Sequence, residues 1–342
     1  MSPGSAAPAG VPLAPTAIRA EVDFEQDGVQ HGFLRLPHSR DDSAWGAVMI
    51  PITVVRNGAG PTALLTGGNH GDEYEGPIAL FKLAQNLRAE AVHGRVIIVP
   101  AMNYPAFLAA RRTSPIDDGN LNRIFPGDPD GSATERIADY FARYLLPLAD
   151  VVLDYHSGGK TLDFLPLAAV HELDDPAQAR GCRSALDAFN APYSLLMREI
   201  DARGMYDTTA ESLGKVFVTT ELGGAGTATA KSVGIAERGV RNLLIHAGIL
   251  DGELDLRPTT WLLMPDERCF VTSHHGGLLE LLVDLGEAVE ADQPLGRIHP
   301  VERTGAAPIT YRTGLGGVLM ARHVPGLIKP GDCLGVIAVP RS

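Results

Sequence analysis

Cysteine is scarce in this chain of 342 residues: Cys182, Cys269 and Cys333 are the only three. Their odd number and wide spacing build neither a disulfide framework nor a CxxC motif, so a reducing compartment and structural thiols are expected. Positive charge is also short, with 29 Lys and Arg against 41 Asp and Glu, for a formal net charge of −12. That balance argues against a nucleic-acid partner, and any anion site has to be assembled locally from a few arginines. No apolar run approaches the roughly 20 residues that span a bilayer, so no membrane partner is expected. The opening stretch, residues 1–16, is rich in Pro, Ala, Gly and Ser and lacks the basic and apolar regions of a leader. It reads as a disordered tail on a cytoplasmic protein.

Longer patterns are present further on. From Ala47 to Ile249, short β-branched runs alternate with helix-like segments, as in an α/β sheet covered by helices. Strands are expected at Ala47 to Val55, Thr62 to Thr66, Arg95 to Pro100, Val151 to Tyr155 and Lys215 to Thr220. Helices are expected at Glu75 to Ala89, Ala133 to Leu146, Ala177 to Phe189 and Thr227 to Ala247. Near Pro258 Gly-punctuated apolar runs take over, which divides the chain into an α/β domain at 17–257 and a small all-β domain at 258–342. The β domain carries an internal repeat. Gly277-Leu278-Leu279 and Pro294 to Ile298 reappear about 40 residues later as Gly317-Val318-Leu319 and Cys333 to Ile337. Two such units resemble the barrel-sandwich of biotinyl and lipoyl domains. The lysine pair of those carriers is missing, so a structural or substrate-shaping role is expected.

The chemistry concentrates at expected strand ends. Thr66-Gly67-Gly68-Asn69-His70-Gly71-Asp72-Glu73 follows a strand and precedes a helix, where ligands of α/β sheets collect. His70 and Glu73, three residues apart on a tight turn, can face one ion. The strand Val151 to Tyr155 ends in His156, which supplies a third ligand. Two nitrogens and one carboxylate leave a coordination position open, the arrangement of hydrolytic zinc enzymes rather than of closed structural sites. Taken singly, each of these residues is as well explained by a hydrogen-bonded rim position; it is their joint placement that points to a metal. Glu221 closes another strand before Gly223-Gly224 and is placed to take a proton from an attacking water. Gly226 to Ser232 lacks the Gly before Lys231 that a phosphate loop needs, so a nucleotide site is rejected. Arg111-Arg112 and Asn122-Arg123 lie in a Gly/Pro-rich loop suited to clamping a carboxylate or an oxyanion.

With His70, Glu73, Asn122-Arg123, His156 and Glu221 in this order, residues 47–249 resemble the succinylglutamate desuccinylase and aspartoacylase family, relatives of zinc carboxypeptidases. The β tail resembles that family's C-terminal domain. Within the family, Gly67 to Pro77 and Thr219 to Gly224 are most similar to the deacetylases of ectoine degradation that act on Nα-acetyl-L-2,4-diaminobutyrate. The resemblance implies a mixed sheet sandwiched by helices and one Zn2+ per subunit on His70, Glu73 and His156. It implies Glu221 as general base, Arg112 as oxyanion stabiliser with Arg111 as its alternative, and Asn122 and Arg123 as holders of the substrate carboxylate. Where aspartoacylase has an arginine for a side-chain carboxylate, this chain has acids near Glu211, and a cationic substrate side chain would suit such a change. Asp201, Asp207 and Glu211 are the candidates for its partner, and Tyr311 is a candidate pocket contact from the tail. The expected substrate is a small N-acetylated amino acid. Deacylation of another N-acyl amino acid, a small carboxypeptidase and a non-catalytic binding protein stand as alternatives, and a homo-oligomer stays open.

Overall fold

The computed structural model describes residues 15–197 and 203–341. Most of the expected tail, residues 1–14, and the candidate Asp201 lie outside the described residues. The chain opens with β1 (Arg19–Ala20), β2 (Gly28–Pro37), β3 (Ala47–Asn57) and β4 (Thr62–Gly67), then α1 (Glu75–Asn86), β5 (Gly94–Val99), α2 (Tyr104–Leu108) and α3 (Ala133–Tyr140). Next come β6 (Val151–Tyr155), β7 (Leu162–Phe164), β8 (Leu167–His171), α4 (Pro176–Phe189), β9 (Tyr193–Met197), α5 (Tyr206–Ser212), β10 (Val216–Glu221) and α6 (Ala230–His246). The rest is β: β11 (Thr260–Leu263), β12 (Phe270–Thr272), β13 (Gly277–Leu281), β14 (Ala288–Val289), β15 (Pro294–His299), β16 (Ile309–Arg312), β17 (Gly317–His323), β18 (Leu327–Ile328) and β19 (Cys333–Pro340).

A large mixed sheet organises the molecule in the order β1-β2-β3-β5-β4-β6-β10-β8-β9-β11-β19-β17-β14. Its centre, β5-β4-β6-β10, is parallel. Strands there are buried on both faces, which is why β4 and β6 read as largely apolar rather than alternating runs. By contrast β2, near the edge, alternates exposed with more buried positions. One face of the sheet packs on α1, α4 and α6 around Leu65, Leu153, Val218 and Phe189. The other packs on α3 and α5 around Leu64, Val152, Phe141 and Tyr206. Helix starts follow their caps: Ser132 with Glu135 and Thr229 with Ser232 form capping boxes before α3 and α6. The helical segment expected to Leu146 is regular only to Tyr140, then widens to a π turn and tightens to a 3-10 turn.

The C-terminal strands form a second, antiparallel sheet, β16-β15-β13-β18, while β11, β19, β17 and β14 extend the main sheet. The sequence repeat is visible as pairing. Leu279 on β13 lies opposite Ile298 on β15, and the equivalent Leu319 on β17 lies opposite Ile337 on β19. These strands enclose a third core around Leu295, Leu319, Leu334 and Ile337. The module is also joined to the α/β part at β7, where Phe164 pairs with Ala321 and Asp163 meets Arg322 at 3.1 Å.

Candidate metal centre and active site

Three parallel strands deliver the site. β4 pairs with β6 so that Thr66 lies opposite Asp154, and β10 pairs with β6 so that Thr219 lies opposite Asp154. The carboxyl ends of all three therefore stop level with one another, and the residues that follow meet there. After β4 the chain makes a tight turn before α1. A Cβ on Gly71 would lie 2.0 Å from the Ala106 backbone, and one on Gly76 would lie 2.1 Å from Tyr155 Cβ, so only glycine allows the turn to pack so closely.

His70, Glu73 and His156 converge, with one ligand atom of each within 4.8 Å of the others, and all three are buried. Among the described residues this is the single group of its kind. His70 Nδ1 is 2.8 Å from Glu73 Oε1, and His156 Nδ1 is 3.0 Å from Glu73 Oε2. The Ser157 backbone N–H donates to Glu73 Oε2 at 3.1 Å, which fixes the carboxylate between the rings. Behind His156, Nε2 is 2.8 Å from Asp154 Oδ2, while Thr66 Oγ1 and Asn69 Nδ2 donate to Asp154 at 2.7 and 3.1 Å. Asp154 thus orients the ring so that Nδ1 faces the centre, the supporting arrangement common behind metal-bound histidines. Two imidazole nitrogens and a carboxylate are an N2O donor set that fits one metal ion.

Burial raises the Glu73 carboxyl, but His70 and His156 beside it hold it below the usual range. Burial likewise opposes charge on His156, but Asp154 and Glu73 together raise it well above an ordinary histidine. His70 is shifted down, chiefly by burial, which favours the neutral ring that a metal requires. Glu221 ends β10 beside this group. It is half-buried as a residue, yet Oε2 is enclosed and has no hydrogen-bond partner in the protein. Burial, then the charge of Glu73, pushes its carboxyl up to about 8. Such a group is poised to accept and return a proton near neutral pH. The loop after it is held by Leu222 N–H to His156 O at 3.1 Å and Gly158 N–H to Gly223 O at 2.9 Å.

The structure separates the paired arginines. Arg112 Nη1 reaches to 3.3 Å from His70 Nδ1 and 3.8 Å from Glu73 Oε1, whereas Arg111 turns to Asp118 at 3.3 Å on the surface. Asn122 is buried, and its Oδ1 accepts the Tyr206 N–H at 2.9 Å, which ties this loop to the start of α5. Arg123 is exposed, with Nη1 donating to Asn122 O at 2.6 Å. Asp207 is buried at that same helix start, where Oδ1 caps Thr208 N at 2.6 Å.

Two expected contacts are not brought to the centre. Glu211 accepts from His171 Nδ1, at 3.0 and 3.1 Å to its two oxygens, near the opposite end of β10, because α5 runs back along the sheet after passing Asn122. Tyr311 spends its hydroxyl inside the C-terminal module, accepting from the His274 N–H at 2.8 Å and lying 2.7 Å from His275 Nδ1. Sequence reading also missed Asp154, Asn69 and Glu75. Asp154 had a signal: it stands two residues before His156 on one strand and so shares its face. Glu75, the first residue of α1, is buried, and burial pushes its carboxyl up to about 7.

No helix among the described residues is long and apolar enough to cross a membrane. A sequence profile of the succinylglutamate desuccinylase/aspartoacylase catalytic domain matches residues 59–247. An N-alpha-acetyl-L-2,4-diaminobutyric acid deacetylase of Halomonas elongata is 59% identical over 326 residues, 95% of either chain. The product-bound ectoine utilization protein EutE of Ruegeria pomeroyi is 60% identical over 95% of this chain and 100% of its own, with a TM-score of 0.94. A succinylglutamate desuccinylase structure from Silicibacter sp. TM1040 is 59% identical over 96% and 100%, also with a TM-score of 0.94. The profile covers more than half of the chain and includes the strands and ligands just described, and these relatives match nearly its whole length: the chain belongs to the succinylglutamate desuccinylase/aspartoacylase family.

Proposed function

We propose that this protein is a zinc-dependent amidohydrolase that removes the acetyl group from Nα-acetyl-L-2,4-diaminobutyrate, releasing acetate and 2,4-diaminobutyrate. The observation that carries the chemistry is the convergence of His70, Glu73 and His156 beside the unpartnered carboxylate oxygen of Glu221. The substrate rests on the Halomonas deacetylase at 59% identity and on the ectoine utilization protein EutE at 60%.

His70, Glu73 and His156 would hold one zinc ion, which when bound would supply Lewis-acid polarisation of a carbonyl and of a water. Glu221 takes the proton of that water, which its raised affinity for protons favours, and then passes it to the departing amine. Arg112, beside His70 and Glu73, donates to the oxyanion as the carbonyl carbon becomes tetrahedral. Asn122 and Arg123 hold the substrate carboxylate, and the Asn122 tie to α5 fixes that end of the pocket. Asp207, buried at the start of α5 next to the residue that Asn122 ties, is the acid proposed for the substrate's side-chain amine.

An acetate-release assay across acetylated diaminobutyrate, ornithine, aspartate and glutamate, combined with elemental analysis, tests class and specificity together. One zinc per chain and a preference of at least about 100-fold for acetylated diaminobutyrate are expected, a margin that one well-placed charged contact can supply. Faster release from the acidic substrates would move the chain to the second reading, a deacylase of another N-acyl amino acid, which the Silicibacter relative's name favours. No release at all would leave a binding protein.

A further inference from the structure

Away from the metal centre, the first turns of α6 and the linker into β11 enclose an open cavity of about 420 Å³. Three cations line it, Lys231, Arg238 and Arg257, and no carboxylate does. In a chain of net charge −12 this is a local reversal of sign. Arg257 is met by Asp255 at 3.3 Å, but Lys231 and Arg238 have no acid within ion-pair distance among the described residues. Arg238 donates through Nη2 to Asn190 O at 3.0 Å. Burial, then the neighbouring charge of Arg257, lowers the pKa of Arg238, and Asp255 offsets part of that shift. Gly234 faces the same space, and a Cβ built there meets nothing within 4 Å.

Gathering three like charges around one space is unfavourable unless something negative completes the arrangement. We infer that this cavity binds a small multivalent oxyanion, with Arg238 and Arg257 clasping it and Lys231 at the mouth. Two guanidinium groups suit planar or tetrahedral oxygen clusters, and the positive end of the seventeen-residue helix α6 adds to the same field. A volume of this size admits a molecule larger than a single phosphate. Carboxylates and phosphates share the required chemistry. The site is independent of the metal centre and does not depend on which amide the enzyme cleaves.

Isothermal titration of the full chain with citrate and, separately, with inorganic phosphate tests the inference. Binding of at least one is expected, weakening as salt is added, with the tighter arm identifying the source as polycarboxylate or phosphate. Arg238→Gln should weaken it about tenfold and the exposed Lys231→Gln up to about fivefold. Lys231→Gln should do so without a change in melting temperature, which guards against misfolding of the arginine variant. Arg112→Ala, at the metal centre, should leave the affinity unchanged. No binding of either anion, equal affinity in wild type, Lys231→Gln and Arg238→Gln, or loss of binding in Arg112→Ala would overturn the site.

Discussion

Two buried pairings of histidine with carboxylate lie toward opposite ends of β10, and only one of them is fit for chemistry. At the carboxyl end, two imidazoles share one carboxylate between them, and Asp154 backs one ring. Toward the other end, β8 runs antiparallel to β10, carrying His171 away from Glu221 to meet Glu211 on α5. Burial and the presence of a histidine beside an acid are common to both. What differs is convergence: the loops beyond three parallel strands can aim side chains at one point, whereas a strand face and a helix face meet as a pair. A buried charged pair is weak evidence for function, and an unpaired excess of inward-pointing donors is stronger evidence.

The sharpest way to break this contrast is Glu221→Gln. It should keep the metal by elemental analysis but lower kcat by about a thousandfold or more, because the proton acceptor is gone; near wild-type turnover would remove the residue from the mechanism. Next, Arg112→Ala should cost about 100-fold in kcat as a lost oxyanion donor, while Arg111→Ala stays within about twofold. Equal losses in the two would contradict the separation of their side chains. Asp154→Asn should weaken metal affinity by about 10–100-fold, measured by chelator competition, since the amide no longer orients His156 as a carboxylate does. Glu211→Gln should have the smallest effect on catalysis. Metal content and kcat should stay within about twofold, while the melting temperature falls by several degrees on loss of the buried charge-assisted hydrogen bond. A loss of metal in that variant would mean the two ends of the strand are not independent.

The central strands and the candidate metal group were legible because parallel strands buried on both faces write largely apolar runs, and those of β4, β6 and β10 lead into a candidate ligand or an acid. β8 and β9 were not anticipated: Leu167-Ala168-Ala169-Val170-His171 is short and alanine-rich, and its strand character comes from the neighbours that cover it. The assignment of Glu211 failed for a related reason. Counting back from Glu221 fixes a distance in sequence, but the helix α5 and the reversal into β10 decide where that distance leads. Tyr311 was read from the family resemblance, and the structure shows a local partner in His275 that no spacing announces. The repeat in the tail was readable because equivalent leucines and isoleucines had to pair in each unit.

The place of β19 has a consequence for how the protein is made. This last strand lies inside the sheet, hydrogen-bonded to β11 and β12 on one side and β17 on the other. From the end of β11 at Leu263 to the end of β19 at Pro340 the chain grows by 77 residues, so at about 5–20 residues per second those strand edges stay unpaired for roughly 4–15 s. The proposed metal ligands have all been made by residue 156, yet the sheet that steadies the loop beyond His156 through β7 and β17 closes only when β19 arrives. A chain cut short before β19 would therefore carry every proposed catalytic group and still expose open strand edges to aggregation.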